Sequence, residues 1–277
     1  MTTLKPSSMP DLLAARYRSL QPEGPVADND ILRGLLAHRS VRNYLPRPVP
    51  DDVLRAGIAA AQSASSSSNL QVWSVIAVTD PARKASLAVL AGNQRHILEA
   101  PLFLAWVIDL SRLQRQGLAQ GEQTAGLDYL ESFVVGAVDA TLAAQNAAVA
   151  FESFGLGLVY IGGMRNHPEK VAEELGLPAS SMVLFGMCVG YPDAGNLPAI
   201  KPRLPQSVVL HHERYDAVAE AEGIAAYDRE IVSYLGERGS VGKPWSETAV
   251  ERVHGPESLS GRDRLREALF NLGFGLK

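Results

Sequence analysis

The stretch LESFVVGAVDATLAAQNAAVAFESFGLGLVYIGG, residues 130–163, decides how the chain is read. Leu130 to Phe154 is Ala-rich and apolar nearly all round, with Val134, Val135, Val138, Leu142, Ala144, Ala148, Val149 and Phe151. A helix with so little polar face is buried in a domain core or in a subunit interface. Gly155 stops it. Leu156 to Ile161 follows as an apolar strand, and Gly162-Gly163 ends that strand.

The alternation continues outward. Upstream, Leu102 to Ile108 (LFLAWVI) reads as a fully buried strand. Val72 to Val78 reads as another, broken by Asp80-Pro81, with a helix from Pro81 to Leu90. Gly92 to His96 is a polar loop, Ile97 to Ala100 a short turn, and Ser111 to Gly126 a mobile polar excursion. Asp51 to Ala64 is a helix capped by Asp51 or Asp52, with Val53, Leu54, Ile58 and Ala61 on one stripe. Asp30 to Ala37 is a short amphipathic helix with Ile31, Leu32, Leu35 and Leu36 inward. Downstream, Pro168 to Leu175 is a helix and Met182 to Val189 a continuous apolar strand. Beyond it come a Pro-punctuated loop (196–210), a helix around Ile224 to Leu235, and a terminal amphipathic helix. Few strands alternating with long helices give an α/β or α+β class. The polar C-terminal third drapes over a core, its own or a partner's.

Bulk properties narrow the function. A net charge of −4 argues against nucleic-acid binding, so local cation clusters meet a small anion instead. The single cysteine, Cys188, sits in an apolar run and permits no internal disulfide, which favours a reducing compartment. Six histidines lack metal-ligand spacing, so no metal site is expected. Residues 1–29 lack a signal-peptide core, and the apolar run Ala100 to Ile108 is too short to span a bilayer. No membrane partner and a cytoplasmic location are therefore expected.

Polar clusters mark the ends of these elements. His38-Arg39-Ser40-Val41-Arg42 runs extended between a helix end and the turn at Pro46 and Pro48. Alternation puts His38, Ser40 and Arg42 on one face, a fit to a phosphate and the polar edge of its carrier; a solvated basic turn is the alternative. Ser66-Ser67-Ser68-Asn69-Leu70-Gln71 offers hydroxyls and amides that can read a heterocycle, or is a plain connector. Tyr160-Ile161-Gly162-Gly163 can bring backbone N–H groups close to a ligand. Lys201-Pro202-Arg203 suits a phosphate clamp or is a solvated loop. Arg238-Gly239-Ser240 with Lys243 could meet a second phosphate-bearing ligand, or be an exposed basic turn.

In order, HRSVRNY, SASSSSNLQ, GNQRHI, GLGLVYIGGMRN, LFGMCVGYP, KPRLP and RGS resemble the oxygen-insensitive NADPH nitroreductase and flavin reductase family, which uses FMN. The resemblance runs from about Ile31 to the C-terminus and leaves residues 1–30 as an N-terminal extension. It implies an α+β fold, a central mixed sheet flanked by helices, in an intertwined homodimer. It implies that His38, Arg39, Ser40 and Arg42 line FMN, with His38 and Ser40 toward the phosphate and Arg42 toward the N1 and O2 edge. Ser66, Ser67 and Ser68 would lie against the ring and ribityl chain. Gln94, Arg95 and His96 match ribityl and ring contacts, and Tyr160, Ile161, Gly162 and Gly163 cover the ring with backbone groups near N5. Lys201 and Arg203 match a second phosphate clamp. Arg238, with Ser240 and Lys243, would help hold NADPH, and Arg262 would contact the substrate. Asn69 departs from the aromatic residue that relatives often carry, and Lys243-Pro244 from a more basic stretch. The implied activity is NAD(P)H-driven reduction of nitroaromatics, quinones or flavins, with NADPH or NADH as donor and Arg42 stabilising charge at the ring. The rival is a protein that sequesters FMN without turnover.

Overall fold

The strand LFLAWVID lies at the centre of the structure, a computed structural model that describes residues 8–277. In chain order the helices are α1 (Met9–Tyr17), α2 (Asp30–Ala37), α3 (Asp51–Gln62), α4 (Pro81–Leu90), α5 (Arg95–Glu99), α6 (Ser111–Gln120), α7 (Leu130–Ser153), α8 (Pro168–Leu175), α9 (Gln206–Val209), α10 (Glu220–Gly236), α11 (Trp245–Arg252) and α12 (Leu265–Asn271). The strands are β1 (Trp73–Val78), β2 (Leu102–Asp109), β3 (Gly157–Ile161) and β4 (Ser181–Gly190). The chain divides into two compact units, Met1–Arg39 with Ala199–Leu259, and Ser40–Pro198 with Ser260–Lys277.

In the second unit the strand order is β1-β2-β4-β3, and every pairing is antiparallel. Among the described residues the one parallel pairing is the bridge from Ser40 to Leu158, on the β3 edge. β2 is covered on both faces, which is why it reads as an unbroken apolar run. Phe103, Ala105 and Val107 pack with Leu87 and Ala88 of α4, Ile97 of α5 and Val171 of α8. Leu104 and Trp106 pack with Ala61 of α3 and with Ala143, Ala144, Ala147, Ala148 and Phe151 of α7. A fold of helices over both faces of such a sheet is α+β.

α7 is two-sided in a way composition alone concealed. Its small residues (Gly136, Ala140, Ala143, Ala144, Ala147) are buried, while Leu130, Val134, Val138 and Leu142 are exposed. The small face lets the helix approach closely: a Cβ on Gly136 would lie 2.6 Å from Ile108 Cγ2. Among the described residues α7 is the one helix long and apolar enough to cross a membrane, but this inner face is packed on the sheet.

Several local expectations are corrected. Residues 111–120 form α6 rather than a mobile excursion, ended by Gly121 at φ 71°. Neither Asp51 nor Asp52 caps α3; the cap position is Pro50, and the two carboxylates lie in the first turn, where they favour the helix dipole. Residues 95–99 form α5 rather than loop and turn. Ile31 and Leu35 of α2 are not inward but exposed, because nothing in the first unit covers that side among the described residues. The N-terminal extension contains α1, which buries Met9 and Leu12; the residues before Ser8 lie outside the described residues.

Gly186 of β4 sits under the ring of Phe103, where a Cβ would lie 2.2 Å from Cζ. Phe103 is fully buried and has no room to swing. Gly186→Val is expected to destabilise the fold by about 1–3 kcal/mol through overpacking. A urea midpoint equal to that of the parent protein would show that the ring can yield.

Candidate functional site

Segment 40–44 of the second unit is fixed at four points. Val41 N–H donates to Leu158 O at 2.9 Å, and Ser40 bridges the same residue. The Tyr44 hydroxyl donates to Val41 O at 2.6 Å and reaches Cys188 O at 3.3 Å. Val41 is buried against Gly157, where an added Cβ would lie 2.5 Å from Val41 Cγ2. Extended backbone then turns the next side chain outward, and Arg42 is exposed, with Nη1 3.4 Å from Ser40 O.

Arg42 acts on His96. Burial, and then the Arg42 charge, hold the His96 imidazole below its usual range, with Glu99 opposing. His96 Nε2 is buried and has no hydrogen-bond partner among the described residues. Because the folded imidazole is the weaker base, its contribution to stability is complete above the unfolded pKa, about 6.5, and is lost as the pH falls through the folded value. In Arg42→Ala the His96 titration, followed by NMR, is expected to move up without reaching the free value, since burial remains. An unmoved midpoint would show that the two groups are not coupled.

Gln94 donates its side-chain amide to Ala91 O at 2.9 Å and precedes α5. Arg95 points outward and pairs with Glu99. Gly163 is a packing glycine: a Cβ there would lie 2.5 Å from Ala91 O and 2.7 Å from Gln94 Nε2. At Gly162 a Cβ would find only Arg165 Nη2 at 3.5 Å and Arg262 Nη1 at 3.9 Å, so its backbone is open toward two guanidinium groups. Arg262 Nε donates to Asn166 Oδ1 at 2.9 Å, and Arg165 donates to Leu184 O. Burial, and then Arg262, lower the Arg165 pKa. Ile161 is buried, leaving only its backbone to face a ligand. Tyr160 packs edge-on to Phe185 at 5.2 Å and donates to Gln145 Oε1 at 3.2 Å; burial raises its phenol pKa. Ser40 and Arg42 are thus joined to each other, Gln94 packs against Gly163, and Gly162 lies toward Arg165 and Arg262.

The Ser-rich loop is anchored separately, by a residue that sequence reasoning missed. Asp139 of α7 is 2% exposed. Its Oδ2 accepts from Ser66 Oγ at 2.6 Å and Val72 N at 3.3 Å, and its Oδ1 from Ser67 N at 3.3 Å. Ser66 Oγ also accepts from Gln71 N at 2.8 Å. Arg112, held by Asp109, closes the far end through Gln71 O at 2.6 Å and Trp73 O at 3.2 Å. The loop between carries Ser68, Asn69 and Gln71 at φ 48°, 55° and 50°, and leaves Ser67, Ser68 and Asn69 exposed. The available signal was a carboxylate in mid-helix, between Val138 and Ala140 of an apolar stretch.

In the first unit, Arg16 of α1 brings two predicted clusters together. Its Nη2 donates to Leu36 O at 2.8 Å and His38 O at 2.9 Å, and its Nη1 to Lys201 O at 2.8 Å. Arg203 N donates back to Arg16 O at 2.9 Å, and the Tyr227 hydroxyl to Pro202 O at 2.9 Å. The arms His38-Arg39 and Lys201-Arg203 are thus tied by backbone, leaving Lys201 and Arg203 exposed as free-standing cations would be on a clamp. Arg238 stacks on Tyr234 at 4.0 Å. Ser240 closes the end of α10 through its N–H to Leu235 O at 3.1 Å. Lys243 pairs with Glu251 and Glu247, whose hydrogen bonds raise its pKa.

In the first unit the tied cationic arms His38-Arg39 and Lys201-Arg203 suit a phosphate. In the second, a guanidinium at Arg42 and, among the described residues, a buried imidazole nitrogen of His96 without a hydrogen-bond partner suit the polar edge of a heterocycle. Residues 35–191 match the model of the Nitroreductase family, and residues 201–277 that of the Nitroreductase family, C-terminal domain. The chain belongs to the nitroreductase family. Among its nitroreductase relatives, NADPH-flavin oxidoreductase of Vibrio harveyi is 42% identical over 229 residues, covering 82% of this chain and 92% of that protein. Oxygen-insensitive NADPH nitroreductase of Salmonella typhimurium is 44% identical over 207 residues, 74% of this chain and 82% of the other. The solved structure of B. megaterium NfrA2 superposes with a TM-score of 0.85 at 37% identity, covering 90% of this chain and all of that one. The nitroreductase match begins inside α2, so α1 precedes it.

Proposed function

We propose that this chain is an FMN-dependent NAD(P)H oxidoreductase acting on small electron acceptors (nitroaromatics, quinones or flavins). Bound FMN supplies the two-electron, hydride-equivalent relay between the nicotinamide donor and the acceptor. The protein binds, orients and supplies charge. The observation that carries the reading is that one unit of a chain of the nitroreductase family holds the exposed Arg42 guanidinium beside Ser40, the buried His96 imidazole that this charge influences, and an open Gly162 backbone near Arg262.

In this reading His38, Arg39, Ser40, Lys201 and Arg203 take the phosphate. Arg42 would supply a fixed positive charge that stabilises negative charge developing on the flavin's N1 and O2 edge. Ser66, Ser67 and Ser68, with Gln94 and His96, would hold the ribityl chain and ring edge, and the backbone of 160–163 would face the ring. Arg95, being paired outward with Glu99, is the weakest of the set. Arg238 and Ser240 receive the nicotinamide dinucleotide and Arg262 an acceptor. Lys243 is engaged by two glutamates, which makes it a poor phosphate ligand unless those pairs open.

The active form is a homodimer. The exposed stripe Leu130, Val134, Val138 and Leu142 recurs every fourth residue along α7, and Ile31 of α2 is 69% exposed. Apolar surface of this extent on a helix favours a second copy as its cover. The buried cysteine, whose thiol pKa burial raises, fits a reducing, cytoplasmic setting.

The test is anaerobic addition of NADPH or NADH to the FMN-loaded protein. The flavin colour should bleach and return on adding a nitroarene or quinone. A protein that stays oxidised under excess of both nicotinamides would be a flavin carrier, and the enzymatic reading would fall.

A further inference from the structure

We propose that Arg16, from the helix that precedes the family match, is the positioning residue that sets the spacing of the two phosphate-binding arms. The inference rests on the FMN reading above and goes beyond it, because it gives a binding task to a segment that the family model does not include.

Arg16 is 6% exposed. Burying a guanidinium is costly unless its N–H groups are satisfied, so a buried fork needs acceptors for its N–H groups. Here the fork spans two places far apart in sequence. One nitrogen holds the carbonyls of Leu36 and His38, the other that of Lys201. A planar guanidinium fixes the angle between such acceptors, which a single ammonium cannot do. The return bond from Arg203 N to Arg16 O closes the frame. Arg16 also adds a fixed positive charge beside His38 and Lys201, favouring an anion held by both arms.

α1 is docked independently of this frame. Arg18, at φ 55°, turns the chain after α1 and pairs with Glu230 and Glu237 of α10, both at 2.6 Å. Met9 and Leu12 are buried. The helix is therefore held from two sides, and Arg16 is delivered to one place.

The test compares FMN with riboflavin, which lacks the phosphate, in fluorescence titrations of the full-length apoprotein. Arg16→Met should weaken FMN about tenfold or more, equivalent to about 1.4 kcal/mol, and leave riboflavin unchanged. Arg16→Lys, which keeps the charge and loses the fork, should fall between. Equal weakening of both flavins, or none, would overturn the proposal. Should Arg16→Met fail to fold, the FMN-to-riboflavin ratio of Arg16→Lys decides by the same criterion. If the parent protein binds neither flavin, the FMN reading itself fails, and this inference with it. If the parent prefers FMN and the variants keep that preference, only the role of Arg16 is lost.

Discussion

Arg42→Ala is expected to lower kcat/KM for NAD(P)H-driven reduction about 100- to 1,000-fold, the usual effect of removing one preorganised charge from an active site. Folding free energy should change by about 0.5 kcal/mol or less. The asymmetry follows from how the residue is held. The backbone of 40–44 is pinned by Val41, Ser40 and Tyr44, none of which needs the Arg42 side chain. The guanidinium itself is exposed and makes a long 3.4 Å contact to Ser40 O. Arg42→Lys should recover part of the rate, because the charge remains and the planar fork does not. A kcat/KM close to that of the parent would mean that Arg42 faces away from the reacting atoms.

Asp139→Ala is expected to cost about 2–4 kcal/mol of stability and to weaken FMN binding. The carboxylate is the shared acceptor for Ser66 Oγ, Ser67 N and Val72 N. Removing it leaves buried donors unpaired, about 1–3 kcal/mol for each one that water cannot reach. The loop it holds keeps Ser68, Asn69 and Gln71 in the left-handed region, which side chains adopt only when neighbours enforce it. Asp139→Asn should sit between, since the amide still accepts at one atom but turns a donor toward the others. Urea unfolding measures the stability and FMN titration the loop. A stable variant with undiminished FMN affinity would show that the Ser-rich loop holds its shape without α7.

The central strands were legible because a sheet covered on both faces imposes continuous apolar runs, as in Leu102 to Ile108 and Met182 to Val189. The helices bounded by proline and glycine, Pro81–Leu90 and Pro168–Leu175, were legible to the residue. The division of α7 was not. Periodicity marks apolar positions but does not say that the alanines face in and the leucines and valines out. That depends on how closely the helix approaches Ile108 and the sheet. Of the site, residues with characteristic side chains beside breaks in structure could be named in advance. Arg16, Asp139 and Arg112 could not. Each works by accepting from or donating to backbone groups remote in sequence, and a backbone partner leaves no trace in the residue pattern. Gly163 shows the converse error: its lack of a side chain serves packing against Ala91 as much as any ligand.

The most direct test of the account is equilibrium dialysis of the apoprotein against FMN, with inorganic phosphate as competitor. Saturable uptake of a single FMN per chain, weakened by phosphate and lost when Lys201 and Arg203 are both replaced by Ala, is the predicted result. A protein that takes up no FMN, or takes it up unaffected by phosphate and by the double replacement, would contradict it.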